Sequence, residues 1–246
     1  MQQPFLKATL AAMGFILAGS VGVRGDALYQ NTSTYLGYGL DFPNGQQIGE
    51  QIWLAPSLPA EYLTNFSFVY SSPNNVAWGV TADVRFYENN GILTNGYSTP
   101  GTLFYDSGSV PFVNPLNFTT GATNSLTANF WLTDLQSPLT GGTALDPSFI
   151  LPTNFTFTIT FSGLTEGETV GLPVFDPPSV GTNYADYWYD LSGSWQLLTN
   201  DSGAQIAFGA EFNGSPTPTP EPTVLALGAF GAAMLTVMAR RRQRRG

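Results

Sequence analysis

The densest run of side chains able to do chemistry is Tyr184-Ala185-Asp186-Tyr187-Trp188-Tyr189-Asp190. In a strand, successive side chains point to opposite faces, so Ala185, Tyr187, Tyr189 and Leu191 share one face and Tyr184, Asp186, Trp188 and Asp190 share the other. An exposed indole flanked by carboxylates would stack on a sugar ring and accept hydrogen bonds from its hydroxyls. This is the expectation for a carbohydrate-binding module. The competing reading packs Trp188 under a neighbouring loop and leaves the aspartates to make turns. Asp176, Asp186 and Asp190, or Glu166 and Glu168 beside Gly167, also offer the hard oxygen ligands that calcium takes. No Asp-x-Asp-x-Asp-Gly loop accompanies them, and no other metal or cofactor is expected.

The inventory removes most other chemistry. The chain has no histidine and no cysteine, and between Asp26 and Gly214 it has no lysine. Serine-histidine triads, thiol nucleophiles, Schiff bases and phosphate-cradling loops are therefore excluded from this span. Two carboxylates suffice for a glycosidase. No pair stands out, so the expectation is that the protein is not an enzyme, with a carboxylate-based glycosidase as a remote alternative.

Arg85 is the one cation between residues 26 and 214, against sixteen of the chain's seventeen acids, which gives that span a net charge of -15. Such a surface repels phosphate backbones, so nucleic acid is excluded as a partner. Asp83 lies two residues from Arg85, on the same face of a strand, and the pair is expected to form a salt bridge.

The elements that must position these residues read as strands. In Asn154-Phe155-Thr156-Phe157-Thr158-Ile159-Thr160-Phe161-Ser162 large apolar and small polar residues alternate, predicting one buried and one solvated face. Phe66, Phe68 and Tyr70 predict a second such strand, Ala82, Val84 and Phe86 a third, and Ile206, Phe208, Ala210 and Phe212 a last one. Turn formers separate the runs, as in Glu88-Asn89-Asn90-Gly91 and Thr99-Pro100-Gly101. Ten or eleven strands at this spacing, with no amphipathic helix between the two ends, predict an all-β fold: a two-sheet antiparallel β-sandwich, jelly-roll-like. The Asn-x-Ser/Thr triplets starting at Asn31, Asn65, Asn117, Asn154, Asn200 and Asn213 are what chance gives in so Asn-, Ser- and Thr-rich a chain.

Both ends read as targeting segments. Lys7 precedes an apolar run from Ala8 to Val23 that closes on Arg24-Gly25, predicting a secretory signal peptide over 1–25. The sandwich follows over 26–214. Residues 215–222 are a Pro/Thr-rich linker ending in Pro220-Glu221-Pro222, too proline-rich for helix or central strand. Thr223 to Ala239 carries no charge and would make about 25 Å of helix, enough for a transmembrane helix within 223–246. Arg240, Arg241, Arg242, Arg244 and Arg245 would then hold the tail in the cytoplasm and leave the sandwich outside.

The order Pro220-Glu221-Pro222, apolar helix, arginine cluster resembles the PEP-CTERM sorting signal of bacteria that make exopolysaccharide. The resemblance covers the last 27 residues. It implies recognition by an exosortase, a membrane-embedded cysteine protease, after passage through the Sec export machinery. It also implies an inner-membrane-anchored precursor, then release to the cell envelope, surface or extracellular matrix. Exopolysaccharide is the accompanying candidate partner. The body is similar to uncharacterised surface domains found with such tails, through Val84-Arg85-Phe86-Tyr87, Pro100-Gly101-Thr102-Leu103-Phe104-Tyr105-Asp106-Ser107-Gly108, Phe161-Ser162-Gly163-Leu164 and Asp186-Tyr187-Trp188. That second resemblance implies no activity. A structural or adhesive surface protein is the expected function.

Overall fold

A computed structural model describes residues 26–56, 62–71, 80–111, 125–131, 142–146, 149–190, 192–199 and 206–216. These residues contain fifteen strands and no helix. No helix among them is long and apolar enough to cross a membrane. The expected signal peptide, the Pro-Glu-Pro motif, the apolar segment and the arginine cluster all lie outside the described residues.

The strands form two antiparallel sheets facing each other as a sandwich. The first runs in the order β1 (Asp26–Gln30), β15 (Ala210–Ser215), β4 (Tyr62–Ser71), β12 (Val170–Phe175), β2 (Tyr35–Phe42), with β10 (Ser125–Trp131) also on β4. The second runs β14 (Trp195–Leu198), β13 (Thr182–Asp190), β3 (Gln47–Trp53), β11 (Asn154–Ser162), β5 (Thr81–Glu88), β8 (Leu103–Asp106), with β9 (Val110–Pro111) also on β5. A separate two-stranded hairpin joins β6 (Leu93–Thr94) to β7 (Tyr97–Ser98). Its two-residue turn is Asn95-Gly96, both at positive φ (52° and 88°), the geometry that matches the twist of the flanking strands.

The predicted alternations supply the core. Phe66 and Phe68 of β4, Val84 and Phe86 of β5, and Phe155, Phe157 and Phe161 of β11 are all buried. Phe212 of β15 meets Phe155 at 5.1 Å, Phe86 at 5.4 Å and Phe157 at 5.7 Å between ring centroids, joining the two sheets. The last strand begins later than the sequence suggests. Residues 206–209 do not join β15 but run beside β12, where Phe175 N donates to Ala207 O and Val174 bridges Phe208. Ser215, expected in the linker, closes β15.

The face of β11 expected to be solvated is partly exposed at Asn154, Thr160 and Ser162 but closed in its middle. Thr156 and Thr158 are fully buried, and Gln47 and Gln51 of neighbouring β3 nearly so. Their polar groups are bonded to one another: Gln47 Nε2 donates to Thr158 Oγ1 (2.8 Å) and to the Tyr87 hydroxyl (3.0 Å), and Gln51 Nε2 donates to Asn154 Oδ1 (2.9 Å). A polar alternation thus marks a face away from the main core without requiring water on it, because side chains there bond one another, with Gln51 Oε1 left without a partner among the described residues.

Gly49 is central to this outer layer. A Cβ at Gly49 would lie 2.5 Å from the Thr158 methyl and 2.7 Å from the Phe157 carbonyl oxygen. One of these neighbours is backbone and cannot swing away. Gly49→Ala is expected to lower the stability of the domain by about 2 kcal/mol through overpacking. Chemical denaturation followed by tryptophan fluorescence checks this, and an unchanged midpoint would show that the layer yields.

Candidate functional site

Strand β13 carries the aromatic run singled out from the sequence, and its register determines what each residue can do. Tyr187, Trp188, Tyr189 and Asp190 pair with Glu50, Gly49, Ile48 and Gln47. Farther back, Asn183 pairs with Ile52. Four residue steps on β13 therefore span two on β3, and Tyr184, Ala185 and Asp186 stand outside the ladder as a bulge. Two hydrogen bonds hold it: Ile206 N donates to Ala185 O (3.0 Å) and Asn183 Nδ2 to Tyr184 O (2.8 Å). Bulges re-aim side chains, and this one breaks the simple alternation expected of the segment.

Trp188 is fully buried, at 0% exposure, which corrects the expectation of an exposed indole. Its ladder partner is Gly49, which on its other side pairs with Thr158 of β11, so the indole lies on the outer face of the sheet. An indole with no accessible face cannot stack on a sugar. Its Nε1 hydrogen has no acceptor among the described residues. Asp190 makes a turn instead of a site: its Oδ1 accepts from Gly193 N at 2.7 Å.

Tyr184 and Asp186 have a different fate, because the bulge carries them to two aromatic residues that the sequence did not single out. The Tyr184 ring lies 3.9 Å from Trp53, at the end of β3, with the planes tilted by 53°. It also meets Tyr97 of the β6–β7 hairpin edge-on at 4.3 Å. Burial raises the Tyr97 pKa, and the negative charge of Asp186 raises it further. Burial, then the neighbouring Tyr97, raises Tyr184 as well. Trp53, Tyr97, Tyr184 and Asp186 each remain partly exposed. Three rings from three separate elements thus meet at the surface, with Asp186 in the same bulge as Tyr184.

Several acids elsewhere have identifiable partners. Arg85 Nη2 lies 2.6 Å from Asp83 Oδ2, the expected pair, and Arg85 Nε lies 2.8 Å from Asp106 Oδ2. Asp106 was missed because it comes from β8, and only the ladder register places it opposite Arg85. Burial is the main reason that the Asp83 pKa is raised to about 6, and the Asp106 charge adds to it while Arg85 opposes it. Glu168 Oε2 accepts from Thr165 N (2.8 Å) in the loop before β12. That loop and the β2–β3 loop frame an open pocket lined by Asp41, Asn44, Glu166 and Glu168. Asp176 Oδ1 is buried without a partner among the described residues. Among the described residues no group of three or more acids is placed to hold a metal ion.

One buried carboxyl stands apart. Glu50 faces the core from the middle of β3 and is fully buried. Its Oε2 accepts from Phe208 N (2.6 Å) and its Oε1 from the Tyr29 hydroxyl (3.3 Å). Phe208 lies in the stretch before β15, where the ladder is irregular, and Glu50 supplies the acceptor that its backbone N–H needs. Burial pushes the Glu50 carboxyl well above its ordinary 4.5, against the hydrogen bonds from Phe208 and Tyr29. The Tyr29 phenol is also raised, first by burial and then by Glu50.

Comparison of the chain with family models, with curated proteins and with solved structures finds no match.

The protonated form of Glu50 is the one the fold favours, so its contribution to stability is full below pH 4.5 and declines as pH rises through the raised value. Glu50→Gln keeps the acceptor for Phe208 N and abolishes the titration. The wild type is expected to lose stability relative to this variant as pH rises from 4.5 to 9 in parallel denaturation curves. A constant difference across that range would show that Glu50 does not titrate in the folded state.

Proposed function

We propose that this protein is exported and displayed at the cell surface or in the extracellular matrix, where its β-sandwich serves as a structural or adhesive domain. The observation carrying this reading is the order of parts in the last 27 residues: Pro220-Glu221-Pro222, an uncharged stretch from Thr223 to Ala239, and five arginines among the next six residues. Such a tail suits a transmembrane helix with its basic end held in the cytoplasm, handled as a PEP-CTERM sorting signal by an exosortase. Residues 1–25 would be the signal peptide that starts the path through the Sec machinery.

The body is compatible with this role. Among the described residues the first strand opens at Asp26 and the last closes at Ser215, which supports a sandwich bounded by the two proposed targeting segments. We read the sandwich as jelly-roll-like, since strands adjacent in a sheet, such as β15 and β4 or β11 and β3, are far apart in sequence. Glycosidase chemistry gains no support from the acids with known partners: Asp83 and Asp106 are tied to Arg85, Asp190 closes a turn, and Glu50 lies in the core.

In a native host the mature protein is expected outside the inner membrane, shortened near Pro222. Replacing Pro220, Glu221 and Pro222 by alanine should leave the full-length chain in the inner membrane. Mass spectrometry of fractionated cells reads both outcomes, and recovery of only unprocessed wild type in the inner membrane would overturn the sorting assignment.

A further inference from the structure

We propose that Trp53, Tyr97 and Tyr184, with Asp186, form a contact site for a polysaccharide that carries free amine groups. The inference rests on surface display only for access to such a polymer. It concerns a binding property that the purified chain should have whether or not the tail is processed.

The argument begins with geometry. The rings of Trp53 and Tyr97 meet the ring of Tyr184 from different directions, one tilted at 3.9 Å and one edge-on at 4.3 Å. All three keep part of their surface in solvent. Aromatic faces attract both the C–H edges of a sugar ring and a cationic group, the latter by the ring quadrupole. Asp186 lies two residues from Tyr184 in the same bulge and is partly exposed, so the bulge that brings Tyr184 to the other rings also offers a carboxylate, the ordinary partner of an ammonium group.

Construction of the site supports a role beyond packing. Tyr184 and Asp186 reach this position because β13 spends four residues where β3 spends two. A regular strand would have kept them in the ladder. Tyr97 arrives on a separate hairpin whose tight Asn95-Gly96 turn fixes the register of the short strand that carries it. Three elements converge on one partly exposed surface.

Charge selects the ligand. The span from Asp26 to Gly214 holds sixteen acids, one arginine and no lysine, so it repels anionic polymers and attracts cationic ones over distances comparable to the Debye length. A glucosamine-type polymer joins a C–H face for the rings to an ammonium group for Asp186. Its N-acetylated counterpart keeps the first and loses the second.

The test is titration calorimetry of the full chain in mild detergent with a glucosamine hexasaccharide, and with the same oligomer fully N-acetylated. The amine form is expected to bind, more weakly as salt rises, and the acetylated form about tenfold more weakly or not at all. Asp186→Asn and Tyr184→Ala should each weaken binding about tenfold, while Tyr184→Phe, which keeps the ring, should retain it. Glu166→Gln combined with Glu168→Gln removes two charges near the opposite end of β3 and should bind like the wild type, separating the site from general attraction to an acidic surface. Thermal unfolding confirms that each variant is folded, and Asp186→Asn decides the matter if Tyr184→Ala is not. Equal binding of the two oligomers, wild-type binding by Asp186→Asn, or a loss in the Glu166/Glu168 variant equal to that in Asp186→Asn would overturn the proposal. Absence of binding with normal tail processing would overturn it while leaving the sorting assignment intact.

Discussion

Phe212 on the last strand touches Tyr29, Phe66, Phe86, Phe155 and Phe157, and the remaining structure is arranged around this meeting of rings from both sheets. Each fully buried phenylalanine contributes about 2 to 3 kcal/mol from the surface it removes from water. Charge pairing cannot substitute for it: with one arginine between residues 26 and 214, Asp83–Arg85–Asp106 is the one ion-pair cluster the described residues form. The core also tolerates an acid, Glu50, because that acid answers a backbone N–H and a phenol that would otherwise lack partners.

The register of β13 on β3 follows from the same core. Ile48, Glu50 and Ile52 face inward, which commits Tyr187 to the inner face, where it packs edge-on to Phe42 and Phe208. Trp188 must then lie on the outer face, opposite Gly49, and there it is buried. The bulge between Asn183 and Tyr187 separates this buried half of the strand from the displayed half. One short segment therefore does two jobs: its end anchors the sheet, and its beginning delivers Tyr184 and Asp186 to Trp53 and Tyr97.

Much of the fold was legible because the core strands are uniform: the alternating phenylalanines of β4, β5 and β11 face the core as their spacing predicts. The outer face of β11 was not legible, since Thr156 and Thr158 look the same in sequence whether they meet water or Gln47. The bulge was also hidden. Nothing in Tyr184-Ala185-Asp186 marks the point where alternation breaks, so Trp188 and Tyr184 were assigned to one exposed face when the structure separates them. Glu50 looked like any strand acid and proved to be in the core. Tyr97 had a readable signal in the Asn95-Gly96 hairpin turn that precedes it, whereas Trp53 had none, as its exposure depends on where β3 ends relative to β13.

The division of β13 into a buried anchor and a displayed contact is the claim on which the binding account rests, and the indole N–H groups report on both halves at once. The most direct measurement is a nuclear magnetic resonance titration of the nitrogen-15-labelled chain with the glucosamine hexasaccharide, following the assigned Nε1–H signals of Trp53 and Trp188. The account predicts that the Trp53 signal moves with ligand while the Trp188 signal stays fixed and exchanges slowly with deuterium. Movement of the Trp188 signal, or rapid exchange there with Trp53 unaffected, would contradict it.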